Sequence, residues 1–256
     1  MKRMRRAGRI IFTWLGAFGI DPRRFGRAIS SLPEYWKGYR RIRVQTGQSM
    51  PMVLTPYLHE RGESAGTATG HYFWQDMLVA KRVLHESPAR HVDVGSRVDG
   101  LITHLLVFRE VDVVDIRPLS HIIPDLNFIR DDATSLESLA DQSIESLSSL
   151  HAIEHFGLGR YGDPIDAEGH IRALRSLQRV LAPEGRLYLS FPVGEEMIEF
   201  NGQRVLSPML PLVILNELKL EKFIAIPSAG LPREDMSPHD LLGTSGWCGL
   251  YEFSRS

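Results

Sequence analysis

The chain has 256 residues, 43% of them hydrophobic, with 30 Lys and Arg against 31 Asp and Glu. That suffices to bury one good core, or one core and a small appendage. The single cysteine, Cys248, excludes an internal disulfide and a two-cysteine metal pair, and suits a reducing cytosol. No apolar run approaches the roughly 20 residues of a membrane-spanning helix.

Charge is unevenly placed. Residues 1–43 carry +10, leaving −11 for the remainder, so a basic arm precedes an acidic body. Residues 10–20, behind Lys2, Arg3, Arg5, Arg6 and Arg9, imitate a secretory signal. The following Asp21, Pro22, Arg23 and Arg24 offer no small-residue cleavage site, so that reading is rejected. Phe12, Trp14, Phe18, Phe25, Tyr35, Trp36 and Tyr39 lie among the cations of residues 1–45, a mixture suited to an anionic membrane surface. A helical cap with a solvated basic face is the alternative. No recognition motif supports nucleic acid as a partner. Residues 46–70, rich in Gly, Thr, Ser and Pro, read as a linker or covering loop. The expected organisation is an extension over residues 1–65 and an α/β domain over 66–256.

Residues 71–85 have helical apolar spacing, with Gln75 and Asp76 on the polar side, and should lie over a ligand crevice. Residues 91–100, HVDVGSRVDG, read as strand, tight loop and helix. Gly95 would let the chain turn, Gly100 would let the next helix approach the sheet, and the helix start would offer free N–H groups. A crossover helix at 101–108 leads to a second strand at 111–115. It ends in Asp115, twenty positions beyond Gly95, where folds of this type hold the ribose hydroxyls of an adenosine-containing ligand. A carboxylate can accept both hydrogen bonds of a vicinal diol.

Further strands are expected at 126–129, 143–150, 186–191, about 223–226 and 247–253. An amphipathic helix at 167–181 ends at Pro183, Glu184 and Gly185. Strands alternating with helices imply a Rossmann-like, mostly parallel sheet covered on both faces.

Several of these pieces resemble one superfamily. VDVG with Gly100, then Asp115, DDAT, SLHAIEH and VLAPEGRLYLSFP are similar to class I S-adenosylmethionine-dependent methyltransferases. More narrowly, GHYFWQD, HVDVGSRVDG and HAIEHFGLGRYGDPID resemble the family of domain of unknown function 268, from about Gly70 onward. The resemblance implies a seven-stranded sheet with its last strand antiparallel, and methyl transfer from S-adenosylmethionine to an unspecified acceptor. It places Asp93, Gly95 and Gly100 in the first cofactor motif, Asp115 on the ribose, Asp132 and Ala133 at the adenine, and Leu150 and His151 beneath the methyl-bearing sulfur. The chain departs from the pattern at Arg97 and Asp99, where glycines are usual; Arg97 could reach the methionine carboxylate. A dinucleotide needs its middle glycine at that position for the pyrophosphate, so Arg97 weighs against an oxidoreductase.

Beyond the fourth strand, Glu154, His155, Arg160, Tyr161, Asp163 and Asp166 stand where an acceptor would meet the methyl group. In-line displacement asks the protein for alignment and, for a hydroxyl acceptor, a base. His155 is the first choice, since an imidazole of pKa about 6.5 is partly neutral near pH 7. Glu154 could orient it or bind substrate, and His151 is second. Arg160, Tyr161, Asp163 and Asp166 are assigned to the acceptor. Hydrogen-bonded structural roles for the histidines, and a metal site of His151, His155 and Asp163, are alternatives. Residues 191–196, FPVGEE, should line the acceptor pocket, with Glu195 and Glu196 on sugar hydroxyls or in solvent. Met209, Leu212, Val213 and Leu215 suggest a packing helix.

The expected function is methyl transfer to a small polar or glycan-type acceptor, at the cytoplasmic face of a membrane. Two alternatives stand beside it: a methyltransferase-like protein that binds a nucleoside or sugar without reaction, and a peripheral interaction module centred on residues 1–45.

Overall fold

The computed structural model describes residues 14–46, 51–58, 66 and 68–256. The first five cations, Phe12 and much of the expected linker lie outside these residues. The chain divides into two compact units, Met1–Thr67 and Ala68–Ser256.

In the first unit, helix α1 (Pro22–Thr46) starts where the Asp21 carboxylate accepts the N–H groups of Arg23 and Arg24, at 2.9 and 3.1 Å. Trp36 meets Tyr35 and Tyr39 edge to face. None of its residues is buried. No described helix is long and apolar enough to cross a membrane.

The second unit is built on strands β1 (Val92–Val94), β2 (Val111–Asp115), β3 (Leu126–Arg130), β4 (Ile144–Leu150), β5 (Leu181–Val193), β8 (Leu218–Pro227) and β9 (Trp247–Arg255). Their order in the sheet is β3-β2-β1-β4-β5-β9-β8. From β3 to β5 all neighbours are parallel, whereas β9 runs antiparallel to both β5 and β8. The Rossmann-like, mostly parallel seven-stranded sheet with a reversed last strand is therefore present. Two further strands, β6 (Met197–Glu199) and β7 (Gln203–Val205), form a separate hairpin that sequence periodicity did not suggest.

Alternating side chains feed two cores. Val92, Val94, Leu147, Leu187 and Leu189 join Ala173, Leu174 and Leu177 of helix α4 (Gly169–Val180) on one face. On the other, Val111, Val113, Leu150 and Tyr188 meet Val79 and Val83 of helix α2 (His71–Glu86). Gln75 and Asp76, expected on the polar side of α2, are buried. Gln75 accepts a hydrogen bond from Ser190 Oγ at 2.7 Å, and burial pushes the Asp76 carboxyl up to about 6. The expected crossover helix is only a π-helical turn (Val98–Ile102) running into the short helix α3 (Thr103–Leu105). Gly100 makes room for α2 rather than for the sheet: a Cβ there would lie 2.6 Å from Asp76 Oδ2.

After α4 the chain enters β5 at Leu181. Pro183, Glu184 and Gly185 make an irregularity inside that strand, where pairing jumps from Ile144↔Leu181 to Ser146↔Arg186. In the Pro-rich insert, helix α5 (Leu210–Ile214) sends Leu212 to the core and Leu215 is buried, while Val213 is exposed.

Candidate active site

A cleft opens at the carboxyl ends of β1, β2 and β4, enclosing about 910 Å³ with its mouth included. This is where an open α/β sheet reverses its winding and binds ligands.

The turn after β1 is fixed from below. Asp93 is fully buried and accepts hydrogen bonds from Ser96 N at 3.0 Å, Ser96 Oγ at 2.7 Å and Ser148 Oγ at 2.5 Å. Burial pushes its carboxyl up to about 6. Asp93 thus shapes the loop and does not line the cleft, a correction to its assignment as a ligand contact; the same holds for Gly100. Gly95 does line it, with φ +77°, and a Cβ there would stand 3.0 Å from Ala152 Cβ and 3.1 Å from Phe156 Cζ. Arg97, where a glycine is usual, lines the rim of the cleft: it pairs with Asp99 at 2.6 Å, lies 5.9 Å from the Tyr72 ring and keeps 64% of its side chain exposed.

At the end of β2, Asp115 lines the cleft but is not free. Arg117 donates its backbone N–H to Oδ1 at 2.8 Å and its Nη2 to Oδ2 at 2.5 Å, with Nε shared between the two oxygens. The Arg117 guanidinium also lies over the Tyr161 ring at 4.3 Å, and Arg160 lies 5.1 Å from the same ring. Sequence reasoning missed Arg117, although the pair Asp115 and Arg117 is adjacent but one in the chain. Asp132 and Ala133 line the same cleft; Asp132 Oδ1 accepts the Thr134 N–H at 2.8 Å.

The end of β4 is buried. His151 adopts φ +49°, and its Nδ1 lies 2.6 Å from Glu154 Oε1 on a 3-10 turn (Ile153–His155). Its ring stacks against His71 and Tyr72, which α2 brings in from far back in the sequence. Burial alone would lower the His151 pKa, but Cys248 and the Glu154 carboxylate hold it well above the ordinary value. Glu154 is fully buried and orients His151 rather than His155, whose Nε2 is 3.9 Å away. It does not itself line the cleft. Leu150 is a core residue, and its N–H is bonded to Ser96 Oγ at 3.0 Å, so its assignment to the cofactor is also corrected.

His155 does line the cleft. Its Nδ1 is 2.8 Å from the Gly202 carbonyl oxygen, which makes Nδ1 the donor and leaves Nε2 with a lone pair. Burial lowers its pKa. Arg160 donates to the same carbonyl at 3.0 Å and does not line the cleft. Tyr161 meets the His155 ring edge to face at 5.7 Å.

The expected acceptor acids are spent locally. Asp163 accepts the N–H groups of Gly157, Gly159 and Tyr161 at 2.8, 3.2 and 3.1 Å. Asp166 accepts the Glu168 N–H at 2.9 Å and pairs with Arg172. Both border the cleft as loop pins, so a metal site of His151, His155 and Asp163 is not assembled. Arg204, buried and unremarked in the sequence, ties this loop down through the carbonyls of Phe156 and Asp166 at 2.7 and 3.2 Å. Glu195 and Glu196 face solvent.

Comparison with known proteins accords with this geometry. The cyclase SpnF superposes with a TM-score of 0.51 at 16% identity, over 70% of this chain and 80% of its own. A protein of Galdieria sulphuraria, provisionally assigned as a sarcosine dimethylglycine methyltransferase, superposes with a TM-score of 0.50 at 12% identity, over 72% of this chain and 86% of its own. The chain shares its fold with these proteins. The family described as Caenorhabditis protein of unknown function, DUF268, matches residues 127–219. No curated protein matches the sequence. A methyltransferase fold does not by itself fix the reaction, as the cyclase illustrates.

Proposed function

We propose that the chain is an S-adenosylmethionine-dependent methyltransferase whose acceptor is a small polar, glycan-type hydroxyl compound. The observation that carries this reading is the shared cleft, with the Gly95 turn and two carboxylates on one wall and a neutral, lone-pair-bearing His155 on the other. The residues fit the cofactor: Asp115 for the ribose hydroxyls, Asp132 and the Ala133 backbone for the adenine, and the turn at Gly95 with the nearby Arg97 for the methionine carboxylate. Arg117 fills about three of the roughly four acceptor positions on Asp115, so it must shift when a diol binds. S-adenosylmethionine, when bound, would supply the methyl group. His155 Nε2 takes the acceptor hydroxyl proton as the oxygen attacks, the Gly202 carbonyl keeps the ring oriented, and Tyr161 shields it.

The hold of Arg117 on Asp115 favours one alternative, a binding protein in which the diol site stays closed. Thermal denaturation with S-adenosylmethionine and S-adenosylhomocysteine separates the two. Stabilisation that saturates and disappears in Asp115→Ala supports the methyltransferase; no stabilisation by either compound removes it. For α1, where Phe25, Trp36 and the basic side chains are exposed, the reading is attachment to an anionic membrane surface at the cytoplasmic face, with the acceptor presented there. Flotation with anionic vesicles tests it, and equal flotation of the full chain and a chain lacking residues 1–65 rejects it.

A further inference from the structure

Beside the end of β4 lies a group of side chains to which the proposed reaction assigns no step. His71 opens α2, His151 follows β4 and Cys248 belongs to β9, yet one ligand atom from each lies within 4.8 Å of the other two. Nδ1 of His151 is taken by Glu154 at 2.6 Å, and the other hydrogen bond of the His71 ring goes to the Gly246 backbone. That leaves Nε2 of both rings, and both are buried with no nitrogen or oxygen hydrogen-bond partner among the described residues. The His151 side chain is only 4% exposed. Cys248 Sγ makes long contacts, 3.9 Å to Gln75 Oε1 and 3.7 Å to Gly249 O, and interacts with the His151 ring.

A buried, unpaired ring nitrogen is costly, and here two of them converge with one thiol. Two imidazoles and a sulfur suit a borderline-soft ion, whereas calcium and magnesium require oxygen ligands. The outer contacts also match: a metal-bound histidine gives its second nitrogen to a carboxylate or a carbonyl, which sets its tautomer. His151 has Glu154 in that role, and His71 has Gly246.

We propose that His71, His151 and Cys248 bind one zinc-class divalent cation, with a fourth position left to water or another exogenous ligand. Three protein ligands and an open position are the arrangement of reactive zinc centres. Binding would form two N–metal bonds and one S–metal bond and release one proton from the Cys248–His151 pair to solvent, so affinity rises with pH. His151 also lines the cleft, so ion and acceptor would share one wall. The site rests on these three side chains and not on the methyl-transfer reading.

Cobalt(II) is the probe, because cobalt bound to a thiolate absorbs through charge transfer in the near ultraviolet. The chain has a single cysteine, so such a band can come only from Cys248. Titrating the full chain with Co²⁺ should raise this band to saturation at a single ion per chain, and Zn²⁺ should abolish it. Cys248→Ser and His71→Gln should each lose the band while keeping their far-ultraviolet circular dichroism. Glu154→Gln should keep it and bind Zn²⁺ about 10–100-fold more weakly. No charge-transfer band in the native chain at saturating Co²⁺ overturns the proposal, as does a band that survives in His71→Gln. Neither result depends on S-adenosylmethionine, so the outcome is separable from that of the proposed function.

Discussion

The two walls of the cleft are built on different principles. At the end of β4, His151, Glu154 and His155 are buried, with Nδ1 of His151 tied to the Glu154 carboxylate and Nδ1 of His155 to the Gly202 carbonyl. At the end of β2, Asp115 is held by a half-exposed Arg117 that also leans on Tyr161. Buried hydrogen bonds are costly to break, whereas partly solvated ion pairs exchange partners cheaply. One wall is therefore set and the other adjustable, as suits a rigid place for proton transfer facing a place where a cofactor enters and leaves.

The sharpest test of the set wall is His155→Ala. Loss of a positioned base should lower kcat about 10²–10⁴-fold, with little change in S-adenosylhomocysteine affinity measured by calorimetry. In the native chain, burial lowers the His155 pKa, so Nε2 stays neutral to lower pH than an ordinary imidazole. The acid limb of the kcat/KM profile should accordingly fall below the ordinary imidazole range. A limb above that range would break the assignment.

Next in size is Glu154→Ala, which leaves His151 buried without its carboxylate. Urea unfolding should report a loss of about 3–5 kcal/mol. Gly95→Ala, at the hinge between the walls, introduces a Cβ at a left-handed position against Ala152. It should cost about 1–3 kcal/mol and weaken cofactor binding. The smallest effect belongs to the adjustable wall: Arg117→Ala frees Asp115 and should tighten S-adenosylhomocysteine binding by up to about fivefold, ~1 kcal/mol. Weaker binding instead would make Arg117 a ligand contact and erase the contrast between the walls.

The strands and the Gly95 turn were legible because alternation of apolar residues and a glycine with positive φ are local signals. Asp115, Asp132, Ala133 and His155 reach the cleft because each sits at or just past the end of a strand. Asp93, Leu150, Asp163 and Asp166 were read as contacts with ligand or acceptor, but are occupied by backbone N–H groups, the core or an arginine. Their residue types fitted, while their partners were invisible. Gln75 and Asp76 looked solvated because a helical wheel does not reveal that Ser190 and the Gly100 turn cover the polar side. Tyr72, His71 and Arg204 arrive from distant elements, and no periodicity predicts such an encounter.

The placement of β9 has a consequence for how the sheet survives damage. Because this strand is flanked on both sides, by β5 and β8, a chain lacking residues 247–255 would present two long unpaired ladders in place of one protected interior. Bare ladders recruit strands from other molecules. Truncated forms should therefore accumulate as insoluble aggregates rather than as a smaller soluble domain.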